Sequence, residues 1–175
     1  MKNNIILIGF MGSGKTTVAE KVCSLNGFSL VDLDERIEDK ESRKISEIFA
    51  SDGEEYFRTI ESKLLKDNLV YEKQVVSTGG GIVLQEENRE LLKESGTVFW
   101  LYATATTIFE RIKDDKNRPL INTNKSKEEI IQKIESMMSA RFELYKDTAD
   151  VIINTDRLSP EECADEILKE YKLLT

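Results

Sequence analysis

The sequence predicts an α/β fold of three layers, with helices on both faces of a parallel sheet. Two observations carry this. Five short apolar, β-forming runs, at residues 5–8, 28–33, 75–77, 98–102 and 151–153, are separated by stretches of helical periodicity. Strands that alternate with helices build βαβ units and therefore parallel sheets. The first run also passes into a helix through "GFMGSGKT" at residues 9–16. Three glycines between an apolar run and a helical pattern mark a strand-to-helix turn.

Each element follows in order. "IILI" is apolar throughout, as a strand buried on both faces should be. Residues 17–25 carry Val18, Val22 and Leu25 at helical spacing. The second run ends in "VDLDERIE". Residues 34–70 then hold enough helix former for two or three helices, more than one crossover needs. The third run ends in "VVSTGGGIV", and the fourth precedes a polar stretch at 113–126 that Pro119 breaks. "ARFELY" is expected to lie on one long helix. After the fifth run, Ser159 followed by Pro160 reads as an N-cap and first helical position. Long excursions at one end of a sheet serve as binding regions or lids.

The 175 residues suit one domain with a substantial core. No apolar run is long enough to span a bilayer, and the N-terminal run reads as a core strand and not a signal peptide. Cys23 and Cys163 have no metal-type spacing, so free thiols in a reducing cytoplasm are expected. The chain has no histidine, which leaves proton transfer to Asp, Glu, Lys, Tyr or Cys. A net charge of −8 argues against a nucleic-acid partner. An acidic chain that takes an anionic ligand must focus its cations in a cleft.

The candidate chemistry begins in the loop. Gly9, Gly14, Lys15 and Thr16 fit G-x-x-x-x-G-K-[ST], whose backbone amides cradle phosphates in front of a helix N-terminus. Gly12, Ser13, Gly14, Lys15, Thr16 and Thr17 are thus candidates for binding a nucleoside triphosphate. Lys15 would reach the β- and γ-phosphates, and Thr16 would ligate Mg²⁺. Asp32 and Asp34, two apart, would share a strand face at the edge where α/β sheets bind ligands. One could hold the metal's water shell and the other accept a proton, or one could simply cap the following helix. Ser77 and Thr78 end the third strand where ordinary NTPases carry an aspartate, so Asp32 is a candidate replacement. Arg58 and Glu61 are i and i+3 on a helix, so the glutamate can aim the guanidinium at a carboxylate or phosphate, or the two can form a surface salt bridge. Gly79, Gly80 and Gly81 imply backbone lying flat against a small ligand, or else a loose loop. Arg118, stiffened by Pro119, could close over phosphates. Arg141 and Arg157 are further cations that fit a site or a solvated surface.

Taken together, "GFMGSGKTT", "VDLDERIE", "YFRTIE", "STGGG", "RPLI", the Arg141–Leu144–Tyr145 set and "ADV" resemble the shikimate kinase family nearly end to end. The resemblance implies a nucleoside-monophosphate-kinase-like fold with a five-stranded parallel sheet. It implies transfer of the ATP γ-phosphate, with Mg²⁺, to the 3-hydroxyl of shikimate in aromatic amino-acid biosynthesis. It implies a shikimate-binding region at about 34–60 and a lid at about 112–124. Asp34 is then the acceptor-binding base, with Lys15 and Arg118 as its catalytic partners on the phosphates. Arg58, Arg141 and the glycines at 79–81 hold shikimate, Thr16 and Asp32 serve the metal, and Arg157 reaches the adenine. A cytoplasmic monomer acting on small molecules, with no nucleic-acid or membrane partner, is expected. The alternatives are a same-fold kinase for another small acceptor, such as gluconate, and a nucleotide-binding switch.

Overall fold

The computed structural model describes residues 3–115 and 125–175. Its strands are β1 (Ile5–Ile8), β2 (Ser29–Asp32), β3 (Gln74–Ser77), β4 (Thr97–Tyr102) and β5 (Val151–Asn154). They form a single parallel sheet in the order β2-β3-β1-β4-β5. The helices are α1 (Lys15–Asn26), α2 (Leu33–Glu41), α3 (Ile45–Ser51), α4 (Gly53–Asn68), α5 (Glu86–Ser95), α6 (Ala105–Ile112), α7 (Lys127–Ser139), α8 (Phe142–Thr148) and α9 (Pro160–Leu174). The expected three-layer α/β architecture is the one observed.

Strand alternation divides the core. Ile5 and Leu7 pack with Val75, Phe99, Leu101 and residues of α1 and α9 on one face. Ile6 and Ile8 pack with Val76, Val98, Trp100 and residues of α4, α5 and α8 on the other. All four residues of β1 are fully buried, which explains their uniform apolarity. A separate cluster of Ile37, Ile48, Phe57, Ile60 and Leu64 binds α2, α3 and α4 into a helical unit beside β2.

The strand boundaries lie within a residue or two of the apolar runs, because a buried strand must be apolar wherever its side chains lack water. The excursion at 34–70 resolves into three helices. Two local expectations fail. Arg141 is not inside a long helix: the chain breaks at Ala140 and Arg141, and Arg141 caps the start of α8. Asp34 is not on a strand. β2 stops at Asp32, whose carboxylate accepts from the Asp34 and Glu35 amides and so starts α2. The capping alternative holds for Asp32, since an orphan helix N–H finds a side-chain acceptor there. Ser159 caps α9 as expected, with Pro160 at the first turn.

The end of the sheet opposite the phosphate loop hangs on Asn4, which is fully buried. Its amide donates to the Tyr71 carbonyl at 3.0 Å and the Ser95 carbonyl at 3.1 Å, and its Oδ1 accepts from the Gln74 amide at 3.1 Å. One side chain thus anchors the loops that lead into β3 and β4. Replacing Asn4→Ala would orphan those three backbone groups, at a cost of about 2–4 kcal/mol. Urea unfolding measures this; a loss below about 0.5 kcal/mol would show that water substitutes for the side chain.

Candidate active site

β1 and β3 pair with Leu7 opposite Ser77. Past that pair, the Thr78 amide and hydroxyl both donate to the Leu7 carbonyl, at 3.2 and 2.9 Å. The loop after β1 and the glycines after β3 therefore leave the sheet side by side, at its C-terminal edge.

The phosphate loop turns at Gly12 and Gly14, with φ of 74° and 97°, in the region that favours glycine. Gly14 caps α1, so the helix amides face the loop's concavity. Lys15 is buried, and its Nζ donates to the carbonyls of Gly9 at 2.8 Å and Phe10 at 3.0 Å. These bonds draw the ammonium back over its own loop. The loop forms one wall of a cleft of about 490 Å³, into which Ser13, Thr17, Asp34, Thr78 and Gly80 also face.

Beneath the loop, the Thr16 hydroxyl donates to Asp32 Oδ2 at 2.7 Å and lies 3.4 Å from Ser77 Oγ. Asp32 sits directly across from Ser77 in the β2–β3 register. The carboxylate missing from the end of β3 is thus supplied at the same level by the neighbouring strand. Three hard oxygens on Thr16, Asp32 and Ser77 suit a small cation such as Mg²⁺. Among the described residues, no group of three or more His, Cys, Asp or Glu side chains could enclose a metal. A cation here would therefore take its further ligands from outside the protein, from water or phosphate oxygens.

Beside this cleft, past Asp34 and Gly80, lies the half that the sequence marks for an acceptor. Arg58 and Glu61 stand a helical turn apart on α4 and pair at 2.6 Å, with the glutamate side chain fully buried. The Arg58 guanidinium also donates to Glu54 Oε1 at 3.1 Å and lies 5.0 Å from the Phe57 ring centre. A Cβ on Gly81 would lie 2.3 Å from both terminal nitrogens of the Arg58 guanidinium, and one on Gly79 would lie 2.5 Å from Glu61 Oε1 and 3.0 Å from Asp34 Oδ1. The glycines are needed here by side chains of the protein itself, a reason beyond the ligand contact read from sequence. Among the described residues, Glu61 Oε1 has no hydrogen-bond partner. Burial lifts the Glu61 carboxyl above its ordinary range; Arg58 pulls it back in part, while Asp34 adds to the rise.

Arg141 approaches the same floor from α8, donating to the Gly80 carbonyl at 3.2 Å while its guanidinium lies 5.8 Å from the Phe10 ring centre. Tyr145 donates its hydroxyl to the same carbonyl. Burial pushes the Tyr145 phenol up to about 12, so it remains a donor at neutral pH. Arg58, Arg141, Asp34 and the three glycines, named from sequence, converge on this half.

Other candidates stand elsewhere. Arg157 is exposed, and its neighbour Leu158 faces the cleft. Arg118 and most of the 112–124 segment lie outside the described residues. Arg111, which no sequence motif marks, closes the phosphate-loop end of the cleft. It donates to the Ser13 carbonyl at 3.2 Å, the Thr155 hydroxyl at 3.1 Å and the Thr155 carbonyl at 2.7 Å. Nothing in "FERI" sets that arginine apart from any charge on an amphipathic helix. Cys23 and Cys163 are free thiols, half-buried and buried. No helix of the described residues is long and apolar enough to cross a membrane.

The shikimate kinase family model matches residues 11–172. The chain belongs to the shikimate kinase family. A shikimate kinase of Thermodesulfovibrio yellowstonii is 45% identical over 172 residues, covering 98% of this chain and 96% of that protein. The structure of an Acinetobacter baumannii shikimate kinase in complex with shikimate matches with a TM-score of 0.92 at 35% identity, covering 100% of this chain and 96% of that one. A Sinorhizobium meliloti gluconokinase matches with a TM-score of 0.56 at 15% identity, covering 99% of this chain and 93% of that one, a likeness in fold alone.

In this shikimate kinase family member, two outcomes test the acceptor half. Gly81→Ala would push the flexible Arg58 guanidinium off its seat. The melting temperature should fall by only a few degrees, while calorimetric uptake of shikimate should weaken about tenfold or more; unchanged uptake would show that Arg58 has room to yield. The second concerns pH. With the Glu61 carboxyl raised in the folded chain above its reference of 4.5, the folded state keeps a proton that the unfolded state releases. Its contribution to stability is full below that reference and fades as pH rises through the folded value. Glu61→Gln should flatten that part of the stability-versus-pH curve in urea unfolding, and a curve of unchanged slope would refute the assignment.

Proposed function

We propose that this chain transfers the γ-phosphoryl group of ATP to the 3-hydroxyl of shikimate, giving shikimate 3-phosphate and ADP. The observation that carries the reading is the joining of a phosphate cradle and an arginine-lined floor at one sheet edge, with Asp34 facing both. A ring acid with hydroxyls needs cations for its carboxylate and a carboxylate for its hydroxyls. Arg58 and Arg141 offer the first and Asp34 the second. The family relationship and the match to the A. baumannii complex support this acceptor over gluconate.

In this mechanism the shikimate 3-oxygen attacks the γ-phosphorus in line. Its proton passes to the Asp34 carboxylate as the bond from phosphorus to the β,γ-bridging oxygen breaks, and ADP leaves with that oxygen. Arg58 and Arg141 hold the acceptor's carboxylate, so the attacking hydroxyl is aimed before reaction. Lys15 exchanges its contacts with the Gly9 and Phe10 carbonyls for the phosphates, and Arg118 is assigned to the same charge from the segment about 112–124. Mg²⁺, when bound, offsets charge on the β- and γ-oxygens. Thr16 and Asp32, with Ser77 beside them, would hold it. The same reading makes the chain a cytoplasmic monomer acting on small molecules, and the free thiols agree with the compartment.

A coupled ADP-release assay over shikimate, gluconate, nucleoside monophosphates and no acceptor tests the reading. Shikimate should raise ADP release well above every other condition; equal release without acceptor would reduce the chain to an ATPase. Asp34→Asn should keep the fold and ATP binding yet lose about 10² to 10⁴-fold in kcat. A near-normal kcat would remove Asp34 from the role of base.

A further inference from the structure

The floor of the acceptor half is held by a residue that makes no demand on the ligand. Arg141 and Tyr145 are four apart at the start of α8, linked by a bond of 3.0 Å from the Tyr145 amide to the Arg141 carbonyl. Residues four apart share a helix face. Both side chains reach the same acceptor, the Gly80 carbonyl. A carbonyl oxygen has two lone pairs, so these two donors fill it.

The tyrosine is buried, whereas the arginine is only partly so. Tyr145 is 2% exposed, and its ring stacks on Trp100 with centres 5.4 Å apart and planes at 18°. Trp100 is in turn held edge-on by Phe142 at 5.2 Å. Arg141 has a long side chain and five donors, and the Gly80 carbonyl occupies only a part of them. The Gly80 peptide has no room to retreat, because a Cβ there would lie 3.1 Å from the Met11 amide nitrogen of the phosphate loop. On its other side, Gly81 lies against the Arg58 guanidinium. One peptide thus touches the nucleotide loop and both arginines.

We propose that Tyr145 is a positioning residue for the acceptor: its hydroxyl fixes the Gly80 carbonyl and leaves the Arg141 guanidinium aimed into the site. Without that hydroxyl, Arg141 is the carbonyl's remaining side-chain donor. The guanidinium is then drawn toward the floor and away from a carboxylate above it. The hydroxyl acts on how the acceptor is gripped, and the phosphoryl-transfer step itself is left to other groups. This inference rests on the acceptor reading above.

The test compares wild type, Tyr145→Phe, Arg141→Ala and the double variant. Tyr145→Phe should raise the KM for shikimate about tenfold, the scale of one buried hydrogen bond. Its kcat should fall by less than about twofold, and its KM for ATP should hold. In the Arg141→Ala background, the same change should alter the shikimate KM by less than about twofold, because the group it steers is gone. A wild-type shikimate KM in Tyr145→Phe would overturn the proposal, as would full additivity in the double variant. A purely structural role would lower the melting temperature and leave the KM values alone, which also overturns it. Calorimetric titration of shikimate into the ATP-loaded wild-type enzyme separates the two levels. No uptake there would sink the functional reading itself, and this inference with it.

Discussion

The register of β1 against β3, with Leu7 opposite Ser77, is the constraint on which both halves of the site depend. Thr78 closes that register with two bonds to the Leu7 carbonyl. The loop that follows β1 and the glycines that follow β3 then emerge at one level, so that Gly80 lies against the Met11 amide. Side chains alternate faces along a strand, so a slip of one residue would turn Ile6 and Ile8 into the opposite core and part the two loops. The phosphate cradle and the acceptor floor are thus products of one pairing.

Burial of charge is the second organising feature. Glu61 is removed from water on the same helix turn as Arg58, and the ion pair between them holds the guanidinium over Gly81. A buried pair of this kind adds little net stability, since desolvation offsets the attraction. Its value lies in direction: the pair fixes the guanidinium's rotamer over Gly81. The glycines allow this closeness, and the tyrosine on α8 fixes the opposite side of the same peptide. In a chain of net charge −8, Lys15 and Arg111 line the phosphate-loop cleft, while Arg58 lies against Gly81 and Arg141 reaches the Gly80 carbonyl at the same sheet edge, so positive charge is focused locally.

Some of the site was legible in the sequence because it is written in consecutive residues. The phosphate loop is one such stretch, since its function requires backbone approach and left-handed turns that glycine alone permits cheaply. The pairing of Arg58 with Glu61 was legible because helix geometry places i and i+3 together. Asp32 was seen as a candidate for the carboxylate absent from β3, but its level with Ser77 depends on strand register. Arg111 was invisible, because its partners at Ser13 and Thr155 are distant in the chain. The break before Arg141 was missed because "SARFELY" has no Gly or Pro to mark it.

By itself, the sequence determined which segments could be strands, where the chain must turn through glycine, and which chemistry those turns invite. Periodicity and local sterics act over a few residues, so a linear reading recovers them. Only the tertiary structure decided which of the distant cations gather at one sheet edge, that Asp32 lies beside Thr16, and that Tyr145 and Arg141 meet on one carbonyl. Those facts arise from strand order and helix packing, which bring together groups far apart in the chain and leave no mark in the spacing of either one.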